Sequence, residues 1–239
     1  MKLTLLFTLI VILFTSCLNK PRITPPDENT QSLLDTCDTK PCLENIIKIY
    51  PSNELAHWRL GQKYQQEKEY KKALEEFTTV IELNSNFNLG YPYRDRANCR
   101  HNLGDNYGAI EDMHKAIKLN PNERYFFDSR AHYYNGIKEY ELAITDYSQA
   151  LEIFDRFKYA RLGRARTYIR LKQYQESLND FNKISDVSDF SYYDYYLRGL
   201  AKINCLDTLG ACSDINKTIE LNPEHNITGL DSILIQCEK

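Results

Sequence analysis

Arg96, Arg130, Arg164 and Arg198 stand 34 residues apart, and Asp112, Asp146, Asp180 and Asp214 keep the same interval. Alanine follows in register at Ala73, Ala109, Ala143 and Ala211, with Ser177 taking its turn. A fixed period of this length restricts a chain more tightly than composition does. Each period is one supersecondary unit too small to bury its apolar face alone, so the units must stack into a solenoid whose core runs along its length. The spacing therefore specifies an architecture and leaves the cargo open.

Residues 54–87 read as two helices. Ala56, Leu60, Gly61 and Tyr64 form one apolar stripe at helical spacing, and Ala73, Phe77, Val80 and Ile81 form a second, with the polar stretch 65–69 between them. Gly61 and Ala73 fall where the helices cross; small side chains there let the backbones approach while Tyr64 and Phe77 fill the space on either side. The set Leu60-Gly61, Tyr64, Tyr70, Ala73 and Phe77 resembles the tetratricopeptide repeat (TPR). The resemblance implies an all-α fold, a right-handed superhelix of about five helix-turn-helix repeats: 54–87, 90–123, 124–157, 158–191 and 192–225, together the domain 54–225. In this register the small residue of the first helix is Gly61, Ala97, Ala131, Ala165 and Gly199, and the large residue of the second is Phe77, Met113, Tyr147, Phe181 and Ile215. Pro121 and Pro223 mark the terminal turn in two units, and the inserted Asn88 and Leu89 are expected to alter the stacking angle between the first two. A stack needs covered ends. Residues 41–53, with Leu43, Ile46, Ile47 and Ile49, are expected to form an N-terminal capping helix, and 226–239, with Leu230, Ile233 and Leu234, a C-terminal one.

The chain opens with Lys2, an apolar run over 3–14, then Thr15, Ser16 and Cys17. This is the pattern of an export signal at 1–16, too short to span a membrane. Phe14-Thr15-Ser16-Cys17 also resembles the bacterial lipoprotein box, which implies cleavage before Cys17 and lipidation of its thiol. Leu18, where that family places an aspartate for inner-membrane retention, implies an outer-membrane anchor and leaves the face it occupies open. Residues 17–40 carry Pro21, Pro25 and Pro26 among polar residues and read as a flexible lipid-anchored tether. The 30 basic and 33 acidic residues of the chain give a net charge of −3, which argues against nucleic acid or anionic lipid as a general partner. Membrane contact is expected through the lipid anchor only.

Arginine holds the seventh position and aspartate the twenty-third in units two to five; unit one has Leu60 and Glu76 instead. Repeated at constant spacing, such residues suggest a structural ion-pair ladder, because the planar fork of arginine can hold a carboxylate at two points. Spacing alone allows pairing inside a unit or across to the next. Glu76, with no arginine in its own unit and Arg96 in the following one, favours pairing across.

The TPR resemblance further implies a concave groove lined by the first helices. Its inward positions hold Trp58 in unit one, then Tyr91, Arg94, Asn98 and His101, then Tyr125, Asp128 and His132, then Tyr159, Arg166 and Arg170, and finally Tyr193 and Tyr196. Aromatic rings supply contact area at low entropic cost and amides satisfy a backbone, which suits an extended peptide. Arg94 and Asn98 resemble half of the carboxylate clamp with which some TPR domains hold a chaperone C-terminus. Tyr125 and Ser129 stand where further basic residues would complete it, so that chaperone partner is not implied, and a looser carboxylate site of Arg94, Asn98 and His101 remains. Arg166 and Arg170 repel each other and invite an acidic ligand segment. A tyrosine-lined groove also suits a glycan or cell-wall chain, the alternative reading.

Beyond Cys17 the cysteines are Cys37, Cys42, Cys99, Cys205, Cys212 and Cys237, an even number that invites disulfides in an oxidising envelope. Cys37 and Cys42 can close a small loop around Pro41; Cys212 and Cys237 would staple the C-terminal cap, with Cys205 a rival partner for either. Cys99, on the packed side of unit two, reads as a buried thiol. His101 and His132 approach across the groove beside Asp128, short of a metal set, and the chain has no glycine-rich phosphate loop, HExxH or GxSxG. The expectation is a scaffold without catalysis, cofactor or metal, anchored in a bacterial envelope and binding a protein or peptide partner as an adaptor or assembly factor.

Overall fold

A computed structural model describes residues 36–184, 187–188, 190–224, 233–234 and 237. Cys17, the signal segment, the tether as far as residue 35, and most of 226–239 lie outside the described residues.

Among the described residues the fold is all-helical: α1 (Lys40–Ile49), α2 (Glu54–Gln66), α3 (Tyr70–Leu83), α4 (Tyr91–Asn102), α5 (Asn106–Leu119), α6 (Arg124–Gly136), α7 (Tyr140–Ile153), α8 (Lys158–Arg170), α9 (Tyr174–Asn182), α10 (Tyr192–Asn204) and α11 (Thr208–Leu221). From α2 onward the helices pair into hairpins, and each first helix packs on the second helix of its own hairpin and on that of the hairpin before. The crossing points are built from small against large. Ala73, Ala109, Ala143, Ser177 and Ala211 have no exposed surface, and neither do Phe77, Met113, Phe181 and Ile215. A Cβ added to Gly61 would lie 2.7 Å from the Phe77 ring, so the glycine is what admits that ring. No helix among the described residues is long and apolar enough to cross a membrane.

Each hairpin turns in the same way. The fifteenth residue of every unit is left-handed: Lys68, Gly104, Lys138, Lys172 and Leu206 have φ of 62°, 90°, 65°, 59° and 68°. The following amide then reaches back five residues, as in Glu69 to Tyr64 (2.8 Å) and Asp105 to Arg100 (2.8 Å), satisfying carbonyls the helix end leaves free. The insertion between units one and two is absorbed as a 3-10 turn, Phe87–Gly90, in which Asn88 and Leu89 are also left-handed. Gly90 ends it at φ 91°, with Ala116 backbone atoms 3.0 Å from where a Cβ would sit.

Both ends of the stack are covered. Leu43 and Ile46 of α1 bury against Ala56 and Leu60, and Lys40 bonds Glu67 and Glu69 in the first hairpin turn. Cys37 and Cys42 form a disulfide at the start of α1. At the other end Ile233 is buried beside Leu197 and Ile215, and Cys237 is bonded to Cys212 on α11. Cys99 and Cys205 are free thiols, and burial pushes the Cys99 pKa up to about 12.

The arginine and aspartate series pairs within units, which corrects the expectation of pairing across. Nε and Nη2 of Arg96 donate to the two oxygens of Asp112 at 2.9 and 2.6 Å, and those of Arg130 to Asp146 at 2.7 and 2.7 Å. Arg164 with Asp180, and Arg198 with Asp214, repeat the fork. The link to the preceding unit runs through the remaining nitrogen: Nη1 of Arg164 donates to Ser148 at 2.8 Å and that of Arg96 to Thr78 at 3.4 Å. Glu76, instead of meeting Arg96, bonds His57 of its own unit at 2.6 Å, and the other ring nitrogen of His57 lies 3.0 Å from the Pro51 carbonyl. Burial pulls the imidazole pKa down, but the hydrogen bonds to Glu76 and Pro51 and the charge of Glu76 outweigh it, and the net shift is upward.

Denaturation of Arg130→Ala, Asp146→Ala and the double variant is expected to give a coupling of about 1–3 kcal/mol, while Arg130→Ala with Asp112→Ala adds to within about 0.5 kcal/mol; the reverse outcome would return the ladder to neighbouring units. A pKa raised on folding means that the His57 contribution is complete below the unfolded value of about 6.5 and is lost as pH rises through the folded value. The difference in unfolding midpoint between about pH 6 and about pH 8 should therefore shrink in His57→Gln. An unchanged difference would show that the imidazolium is not the stabilising form.

Candidate functional site

The first helices α2, α4, α6, α8 and α10 touch along one face. Each contact there was invisible to the repeat pattern. Trp58 on α2 donates its indole N–H to Asp95 on α4 at 2.8 Å, and Arg94 closes on the other oxygen of that carboxylate through Nε (2.9 Å) and Nη2 (2.6 Å). Asp95 is 3% exposed. Beside this cluster lies a cavity of about 370 Å³ bordered by Gln62, Gln65 and Gln66 of α2, Asn98 of α4, and Ser129 and Tyr133 of α6. The three glutamine side chains have no hydrogen-bond partner among the described residues.

A second cavity of about 380 Å³ opens between α6, α8 and α10, with His132, Asn135, Gly163, Arg166, Arg170 and Tyr193 on its walls. Arg166 is held across the face by Asp194, at 2.7 Å from Nε and 2.8 Å from Nη2. Asp194 also closes a capping box with Ser191 at the start of α10. The Asn135 amide bridges to Thr167 on α8 at 3.0 Å. Arg170 and Lys138 make no ion pair among the described residues, so the unpaired positive charge of this cavity sits on them and not on Arg166.

Between the cavities the His101 and His132 rings stand edge to face with centroids 5.0 Å apart. His101 Nδ1 is 2.6 Å from Asn106 Oδ1. Burial, then the neighbouring His101 and Arg166, hold the His132 pKa below its ordinary value. No group of three histidine, cysteine or acidic side chains among the described residues is placed to hold a metal ion. Asp128, one turn before His132, has neither a side-chain hydrogen bond nor an ion pair among the described residues, and burial pushes its pKa up to about 6.

A tyrosine holds the second position of units two to five. Tyr91 donates to Glu123 at 2.7 Å and meets Phe126 edge to face at 5.2 Å. Tyr125 meets Phe157 at 5.0 Å, and Phe157 meets Tyr159 at 6.0 Å. Ring contacts thus run from Tyr125 on α6 to Tyr159 on α8, and Tyr159 is 62% exposed. Arg124 lies over the rings of Tyr125, Phe154 and Phe157. Tyr193 keeps an exposed place, whereas Tyr196 is 8% exposed and packs in the last core cluster, which corrects its placement in the groove.

Reading by register found the face and overestimated its free charge. Asp95 and Asp194 escaped notice because they stand at the sixth and third positions of their units and have no counterparts elsewhere in the series. Gly163 escaped for a related reason: the small residue of unit four was sought at Ala165, while a Cβ at Gly163 would lie 2.5 Å from the Tyr147 ring.

The tetratricopeptide-repeat family profile matches residues 55–87 and 95–123. Hsc70-interacting protein 1 of Drosophila melanogaster is 35% identical over 77 residues, 32% of this chain and 20% of that protein. The chain thus spans about a fifth of the length of that curated relative. Among solved structures, YrrB, described as a TPR protein with an unusual peptide-binding site, superposes with a TM-score of 0.65 at 14% identity, over 84% of this chain and 99% of that one. PilW, described as a widely conserved type IV pilus biogenesis factor, gives 0.67 at 19% identity, over 81% and 88%. The fold is that of a TPR solenoid.

Because the folded pKa of Asp128 lies above the unfolded value of about 3.9, stability falls as pH rises from there to about 6, and the cost persists at neutral pH. Asp128→Asn is expected to stabilise the protein at pH 7 by on the order of 1–2 kcal/mol, with the gain vanishing near pH 4. Equal midpoints for the two proteins at pH 7 would mean that solvent reaches the carboxylate freely.

Proposed function

We propose that this chain is a scaffold without catalytic activity that binds a peptide, or an extended segment of a protein partner, along the face formed by α2, α4, α6, α8 and α10. The observation that carries this reading is the trio Gln62, Gln65 and Gln66, whose side-chain amides border a cavity and have no hydrogen-bond partner among the described residues. Unpaired amides in a row match the alternating donors and acceptors of an extended backbone, which leaves neither side unsatisfied. The peptide-binding site described for YrrB supports a peptide ligand for this fold, and the pilus-biogenesis role of PilW supports a role in assembly.

An acidic ligand residue or C-terminal carboxylate belongs in the second cavity, at Arg170 and Lys138. Arg94, which the carboxylate-clamp resemblance points to, is already closed on Asp95. A peptide is favoured over a glycan because the ring faces of Tyr91 and Tyr125, on which a sugar would stack, are covered by Arg94 and Arg124, 4.7 and 4.6 Å from the ring centroids. The apolar run at 3–14 and Cys17 support export and lipid anchoring in a bacterial envelope, with Leu18 favouring the outer membrane. The disulfides Cys37–Cys42 and Cys212–Cys237 support an oxidising compartment.

A photo-crosslinking amino acid at Gln65 or Asn98 is expected to trap a partner in cells, while the same residue at Tyr107, on the second helix of unit two and 71% exposed, traps none. Equal trapping at the three positions, or trapping at Tyr107 alone, would move the binding surface away from the groove.

A further inference from the structure

Asp128 has no hydrogen bond or ion pair among the described residues, in a face where Arg94 is paired with Asp95 and Arg166 with Asp194. The fifth position of one unit meets the sixth of the next along the groove: Trp58 reaches Asp95, and Arg94 and Ser129 border the same cavity. By the same register Asp128 meets position six of unit four, which is Gly163, a residue with no side chain to offer. That glycine is fixed by packing, since the Tyr147 ring fills the place of its Cβ. A partly buried carboxylate left in this condition costs stability, and the cost persists where something outside the chain supplies the missing contact.

The surroundings suit a cation. The ring of Tyr125, one helical turn before Asp128, is already covered by Arg124, so the open aromatic surface is Tyr159 on α8, 62% exposed and joined to Tyr125 through Phe157. Aromatic faces beside a carboxylate can hold the alkyl stem and the charged head of a long basic side chain together. The other charged groups nearby are engaged within the fold: Arg166 is closed on Asp194, and Arg124 lies over the rings of Tyr125, Phe154 and Phe157. His101 and His132 face each other.

We propose that Asp128 receives a lysine or arginine side chain of the bound peptide. The inference rests on the peptide groove proposed above and gives it polarity: a basic ligand residue at α6, and an acidic one farther along at Arg170 and Lys138.

The test is selection of peptides from a random library, N-acetylated and C-amidated so that only side chains carry charge, on the purified protein and on Asp128→Asn. Wild type is expected to enrich lysine or arginine at one fixed position. Replacing that residue by norleucine should weaken binding about tenfold for wild type and leave Asp128→Asn unchanged. A melting midpoint for Asp128→Asn at or above that of wild type establishes that the variant is folded. Selection without a basic preference, or the same preference in Asp128→Asn, overturns the assignment while the peptide groove stands. Selection of no peptide at all overturns both.

Discussion

The fork of arginine on aspartate inside four of the five hairpins is the interaction on which the stack depends. Its contribution is geometric before it is energetic. Taking both ions out of water costs much of what their attraction returns, yet leaving one of them buried alone is severe, so the pair selects one register of the two helices and rejects slipped ones. Arginine and aspartate lie 16 residues apart in all four pairs. That fixed offset is what brings Ala109 under α4 and Ala143 under α6, where the backbones approach. Unit one solves the same problem differently. α1 covers it with Leu43 and Ile46, so Leu60 takes the place of arginine and His57 takes over the acid, Glu76.

With the hairpins held from the side of their second helices, the first helices are free to vary on the groove face, and their contacts are made by residues that do not repeat. Trp58 with Asp95, Asn135 with Thr167, and Arg166 with Asp194 are three different chemistries performing one task at three of the four joints between units. Each ties neighbouring units together near the cavities. The consequence is a groove whose arginines serve its own architecture and whose unpaired polar groups, the three glutamines, Asp128, Lys138 and Arg170, are set apart from them.

What the sequence revealed follows this division. Features shared by every unit were legible: hairpin boundaries, small and large crossing residues, and the arginine and aspartate series. Pairing direction was not, because one atypical residue, Glu76, pointed toward Arg96 while its actual partner, His57, had no equivalent in other units. The left-handed turn residue is common to all five units yet was hidden, since glycine marks it only at Gly104 and lysine or leucine elsewhere. A repeated backbone conformation need not leave a repeated residue type when the strain of about 1 kcal/mol per residue is offset by the helix-end hydrogen bonds. Tyr196 was misplaced because it shares an aromatic cluster with Tyr193 on one helix, and only packing decides which of the two faces the core.

Repetition therefore separates structure from function in this chain. Where a position is the same in all units, its cause is the stacking common to them; where it departs, either a local packing change or a ligand must account for it. The departure at Gly163 has a local cause, the Tyr147 ring, which is larger than the Met113 and Ile215 that hold its place in units two and five. The departure at Asp128 has none: no side chain bonds it among the described residues, and burial raises its pKa with no cationic neighbour to lower it. A repeat whose packing is satisfied gains nothing from such a group. The joint between units three and four, where an aromatic ring has displaced a side chain and left a carboxylate facing the gap, is accordingly the part of the groove where stacking explains least and recognition explains most.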